Sequence, residues 1–131
     1  MRWKKEFESR HAPLDLEHRK IFDLINKCEQ QIQQRATLES LESVLRDIRR
    51  CVDNHFAWEE GLMAEIGFPD IEAHRVLHKM LLASLKDRMQ EMPFCSLTPD
   101  ALLELMTNWF ATHTSQDDKE LASCLRSSQA G

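Results

Sequence analysis

Five of the six histidines in this 131-residue chain, His18, His55, His74, His78 and His113, interrupt stretches that are otherwise apolar on one helical face. One histidine on such a face is usually a core residue with a hydrogen-bond partner; five need partners that a sparse polar core does not supply. Two of the spacings carry chemistry. In "HFAWEE" His55 and Glu59 are four apart, and in "HRVLH" so are His74 and His78. Residues four apart lie about 40° apart around a helix, so each pair can aim at one point. Imidazole and carboxylate without thiolate suit zinc, iron, copper, nickel or manganese. The donor types argue for a metal without choosing among these.

The elements that must position these groups are all helical. Apolar residues recur every three or four positions and strand-like alternation is missing. Helix A is expected from Leu14 to about Gln34, with His18 on the stripe of Ile21, Phe22, Ile25 and Ile32. Helix B follows Thr37 as its cap and runs to Ile66; "GFPD" ends it. Helix C opens on Asp70 and fades near Met92 and Pro93. "LTPD" starts helix D, with Thr98 as cap, Pro99 in the first turn and Asp100 at the positive helix end, and the helix runs to about Leu125.

Short connections make neighbours antiparallel, so the expected fold is all-α, an up-down-up-down four-helix bundle. Its parts are an N-terminal arm (1–13), the bundle (14–126) and a polar tail (127–131), forming a single domain over 1–131. Height along the bundle tests whether the histidines meet. At ~1.5 Å per residue, His18 lies about 6 Å into helix A, and His55 and Glu59 roughly 10 to 16 Å from the end of helix B. His74 and His78 sit about 6 to 12 Å into helix C, and His113 and Asp118 roughly 10 to 18 Å from the end of helix D. Antiparallel packing brings all of these into one layer.

Bulk properties narrow the partners. A net charge of -5 and a pI near 5.7 disfavour nucleic acid, because "RWKK" and "RDIRR" are short and flanked by acids. No apolar run approaches the ~20 residues of a membrane span, and "MRWKKEFESRHAPLDLEH" lacks the apolar core of a secretory signal, which makes the cytoplasm the expected compartment. Cys28, Cys51, Cys95 and Cys124 show no C-x-x-C spacing and read as free thiols.

Four stretches in order, "LDLEHRKIFDLIN" (14–26), "HFAWEEGLM" (55–63), "GFPDIEAHRVLH" (67–78) and "WFATHTSQDD" (109–118), resemble the hemerythrin family, specifically its bacterial oxygen-binding members. The resemblance implies a non-heme di-iron centre inside the bundle. His18, His55, His74, His78 and His113 would be terminal iron ligands, and Glu59, Asp118 and an oxo or hydroxo group would bridge two iron ions, leaving one coordination position open for dioxygen. Helix periodicity by itself favours Asp117, about 40° from His113, over Asp118, about 140° away. The family spacing of five and the displaced apolar residues Leu121 and Leu125 favour Asp118, and a π-bulge would reconcile the two. His11 lies outside the matched stretches and is not read as a ligand.

The family most often has leucine where this chain has Phe110 and isoleucine where it has Thr114. Both residues are therefore expected to line the oxygen pocket, Phe110 altering access and oxidation rate and Thr114 adding a polar group near the site. The resemblance implies reversible binding of dioxygen, with nitric oxide as an alternative ligand, for carriage, storage or sensing. An enzymatic role trails, because the Glu-x-x-His motifs of carboxylate-rich di-iron bundles are missing at the site positions. A sensor would pass its state to an attached output domain, such as a diguanylate cyclase or a chemotaxis receptor, if this chain is part of a longer protein.

Overall fold

Capping residues set where the helices begin. In the computed structural model, which describes residues 2–91, 99–114 and 118–130, α1 spans Ala12–Gln33 and starts two residues before the position periodicity suggests. His11 is its N-cap: the Leu14 N–H donates to His11 Nδ1 at 3.3 Å, and Pro13 occupies the first turn, where its missing N–H costs nothing. Helix α2, Leu38–Ile66, is capped by Thr37 as expected, whose hydroxyl oxygen accepts from the Ser40 N–H at 3.1 Å. It stops at Gly67, held at φ 69°, while the Phe68 N–H reaches back to the Met63 carbonyl at 2.8 Å. A left-handed residue with this bond closes off the last carbonyls, and glycine adopts it without the ~1–2 kcal/mol that a Cβ costs. Helix α3, Ile71–Glu91, takes its first backbone bond from His74 N–H to the Asp70 carbonyl, 3.0 Å. The expected stop at Met92 and Pro93 and the Thr98 cap lie outside the described residues.

The stretch expected as helix D is described as α4 over Pro99–Thr112 and α5 over Lys119–Ala130, with residues 115–117 outside those described. Between them, His113 and Thr114 are π-helical, and the Asp118 N–H donates to the His113 carbonyl five residues back at 3.0 Å. A five-residue spacing of this bond is what a π-turn makes, and Leu121 and Leu125 beyond it are buried in the core. Asp117, the other candidate, lies outside the described residues. Residues 127–130, expected as a polar tail, continue α5.

Helix neighbours run α1 to α2, α2 to α3, α3 to α4 and α4 back to α1, which closes the ring of a four-helix bundle, and α5 packs on α2. The N-terminal arm belongs to the core. Trp3 and Phe7 meet edge to face at 5.4 Å, and Phe7 is buried against Phe110 of α4 at 5.2 Å. The Arg19 guanidinium lies 3.8 Å over the Trp3 ring, a cation–π contact that holds the arm to α1. Among the described residues no helix is long and apolar enough to cross a membrane.

Apolar side chains form two separate clusters. The larger contains Ile21, Phe22, Ile25, Val52, Phe56 and Phe110; the smaller contains Leu14, Met63, Phe68, Leu121 and Leu125. Each helix passes from one cluster to the other through the polar residues singled out above: His18 on α1, His55 and Glu59 on α2, His113 and Asp118 beyond α4. A buried polar layer thus divides the core.

Candidate metal centre

Within that layer His18, His55, Glu59, His113 and Asp118 each offer a donor atom, and these five atoms all lie within 4.8 Å of one another. Every one of the five residues is buried. The pairwise distances are short. Asp118 Oδ2 lies 2.8 Å from His18 Nε2 and 2.9 Å from His113 Nε2; Glu59 Oε2 lies 2.7 Å from His55 Nε2 and 3.6 Å from His113 Nε2. His55 Nε2 and His113 Nε2 approach to 3.1 Å.

His78 adjoins the group from α3, its Nε2 3.4 Å from Glu59 Oε1. His74 comes next, its ring 5.8 Å from that of His78 and edge-on to Phe68 at 5.3 Å. It stands at the margin of the layer and is not among the five donors that converge within 4.8 Å. Six of the seven expected ligands therefore form a continuous buried cluster, and the seventh reaches it through His78.

The donor set passes a chemical test of fit. Glu59 Oε1 and Oε2, Asp118 Oδ1 and His78 Nε2 are buried with no hydrogen-bond partner among the described residues. Orphaned carboxylate oxygens cost several kcal/mol each unless something cationic meets them. Donors ~3 Å apart that all face one point match adjacent ligands on an ion with bonds of about 2.1 Å. Two imidazole nitrogens at 3.1 Å suit that arrangement better than a hydrogen bond, which needs one proton held between them.

Protonation follows the same geometry. Burial alone would strip the proton from His113, yet Asp118 and Glu59 face its ring and hold its pKa well above the ordinary value. His55 is raised in the same way, against its own burial, by Asp118 and Glu59. His18 goes the other way: desolvation outweighs its bond to Asp118 and lowers it. Burial would raise both carboxylates, but the facing imidazoles, His113 foremost, pull Glu59 and Asp118 below the usual range. The layer therefore keeps two anions where a core of this dryness would ordinarily neutralise them.

Some of the surroundings have no signal in the sequence. Phe56 stacks flat on His78, centroids 3.9 Å apart and planes at 1°, and Trp109 lies parallel to His113 at 5.4 Å and 9°. Their planes run parallel to those of the imidazoles and restrain them. Phe110 is fully buried, with its ring 6.3 Å from that of His18. The Thr114 hydroxyl donates to the Phe110 carbonyl at 2.9 Å, so its polarity is spent on the backbone of α4. His11, set aside as a ligand, is used in the cap of α1.

Comparison with known proteins agrees with this geometry. The family model described as the hemerythrin HHE cation binding domain matches residues 11–125. A bacteriohemerythrin of Campylobacter jejuni is 26% identical over 109 residues, covering 82% of each chain. Another, from Clostridium acetobutylicum, is 23% identical over 123 residues, 90% of this chain and 95% of the relative. A third, from Pseudomonas aeruginosa, is 23% identical over 128 residues, 98% of this chain and 83% of its own length.

Proposed function

The chain belongs to the hemerythrin family, and from that premise we propose that it binds dioxygen reversibly at a non-heme di-iron centre, in carriage, storage or sensing. The observation that carries this reading is the convergence of buried imidazoles on two carboxylates, of which both Glu59 oxygens and Asp118 Oδ1 have no hydrogen-bond partner among the described residues. In this reading His18, His55, His74, His78 and His113 would hold the irons as terminal ligands, and Glu59 and Asp118 would be shared between them. When bound, two irons supply reversible one-electron chemistry at each ion, which is what dioxygen binding requires.

The rest falls to the chain. Glu59 presents its two oxygens to different imidazoles, Oε2 to His55 and Oε1 to His78, and a carboxylate so placed suits two ions better than one. Asp118 faces His18 of α1 and His113 beyond α4, tying these two neighbouring parts of the bundle to the layer. Phe22, Phe56 and Phe110 close the layer on one side, Leu14, Met63 and Leu121 on the other. These walls are apolar, which favours release of a bound gas over its reduction.

Iron analysis with visible spectra of the anaerobically reduced protein tests the proposal. Two irons per chain and a charge-transfer band that appears in air and is lost on purging are the expected result. A chain that takes up no iron, or whose spectrum ignores oxygen, refutes it.

A further inference from the structure

The outer nitrogens of the histidines are not treated alike. The Nδ1 atoms of His18, His55 and His113 are buried with no hydrogen-bond partner among the described residues. Glu17 comes closest to one of them, 3.9 Å from His55 Nδ1, which is beyond hydrogen-bond reach. His78 is different: its Nδ1–H donates to Glu60 Oε2 at 3.0 Å, while its Nε2 faces Glu59. Glu60 is anchored in turn, its other oxygen 3.5 Å from Arg75 Nε one turn earlier on α3. Arg75 also pairs with Glu72 at 2.5 Å.

A carboxylate on the far nitrogen of a ligating histidine fixes the tautomer and makes the ring a stronger donor. We infer that Glu60, which lies outside the ligand set, is the positioning residue of His78: it keeps the proton on Nδ1, turns Nε2 to the buried layer, and makes the ion on that side of the centre the more electron-rich. The inference deepens the di-iron reading and rests on His78 being a ligand. The sequence gives Glu60 no such part, because consecutive residues point about 100° apart on a helix and only the packing of α3 against α2 brings His78 under it. Phe56, stacked on the same ring, restrains its plane but cannot choose its tautomer. The pair also borders the outside: Glu60, Arg75 and His78 line one wall of a groove of about 390 Å³, so His78 connects the dry layer to a partly exposed anion.

Two readouts test this on the full chain. In the metal-free protein, long-range 1H–15N spectra should show His78 protonated at Nδ1, and Glu60→Ala should move that proton to Nε2. Under anaerobic chelator competition, Glu60→Ala should weaken one of the two ferrous sites about 10- to 100-fold. Glu60→Gln keeps an acceptor for Nδ1–H, so it should retain affinity within a few-fold while raising the reduction potential, because a charge that stabilises the ferric state is gone. That potential also decides the matter should the alanine variant fold poorly. An unprotonated Nδ1 in the wild type, or wild-type affinity and potential in both variants, overturns the inference. If the wild type bound no iron the di-iron reading would fail, yet the metal-free spectra would still judge the positioning of His78.

Discussion

Replacing Glu59 by glutamine separates a metal bridge from a buried ion pair. The two side chains have nearly the same volume, and Glu59 is fully buried, so no solvent or packing change confuses the comparison. In the metal-free chain Asp118 still faces His18 at 2.8 Å and His113 at 2.9 Å, so the layer keeps its principal pairing. The loss is the attraction of Glu59 for His55 and His113, offset by relief of its own desolvation and of its repulsion with Asp118, for a net cost of about 1 kcal/mol. With iron the outcome differs, because a neutral amide is a poor bridge between two cations. A 100-fold loss of affinity removes about 2.7 kcal/mol of ligand-linked stability, and at roughly 4 °C per kcal/mol for a chain of this length the iron-dependent rise in Tm should shrink by about 10 °C. Thermal melts of both proteins, with ferrous ion under argon and with chelator, measure it. Were Glu59 only an ion-pair partner, Glu59→Gln would cost the same, about 1 kcal/mol, with iron as without it. An equal drop with and without iron refutes the bridging role.

Phe110→Leu removes a ring wedged among Phe7 at 5.2 Å, Phe22 at 6.0 Å and Trp3 at 6.3 Å. It should cost about 1–2 kcal/mol in melts, leave iron content unchanged, and speed oxidation of the loaded protein in air through the gap opened beside His18; loss of iron, or slower oxidation, contradicts this. Iron affinity should rise with pH. His113 and His55 are both held above their ordinary pKa, so a metal must displace their protons, and affinity measured by chelator competition should climb by at least about tenfold per pH unit until those protons are lost, then flatten. For the metal-free fold the signs oppose each other: the raised His113 contributes stability that is full below pH ~6.5 and lost as pH rises through its folded value, whereas the depressed Asp118 contributes stability present above pH ~3.9 and lost as pH falls toward its folded value. Chelated protein should therefore melt highest between those limits.

The helices, their order and the identity of the donors are legible in the chain because each rests on local physics. A period near 3.6 sorts Ile21, Phe22 and Ile25 to one face together with His18, and caps such as Thr37 and a left-handed stop such as Gly67 act within a few residues of themselves. The spacing of His55 and Glu59 likewise fixes a shared direction before any packing occurs. Asp118 shows where local reasoning ends. An ideal helix would select Asp117, whereas the bond from the Asp118 N–H to the His113 carbonyl, five residues back, accompanies an Asp118 side chain buried in the layer.

What the tertiary structure alone decided is the surroundings of the donors. The stacking of Phe56 on His78 and of Trp109 on His113, the docking of Trp3 and Phe7 against Phe110, and the reach of Glu60 across to α3 depend on contacts between side chains whose positions follow from helix packing. Residue types and spacings determine which groups a helix can present and on which face. Which atom of one helix meets which atom of another is set by the rotation and depth at which they pack, and a one-dimensional pattern does not contain those two quantities.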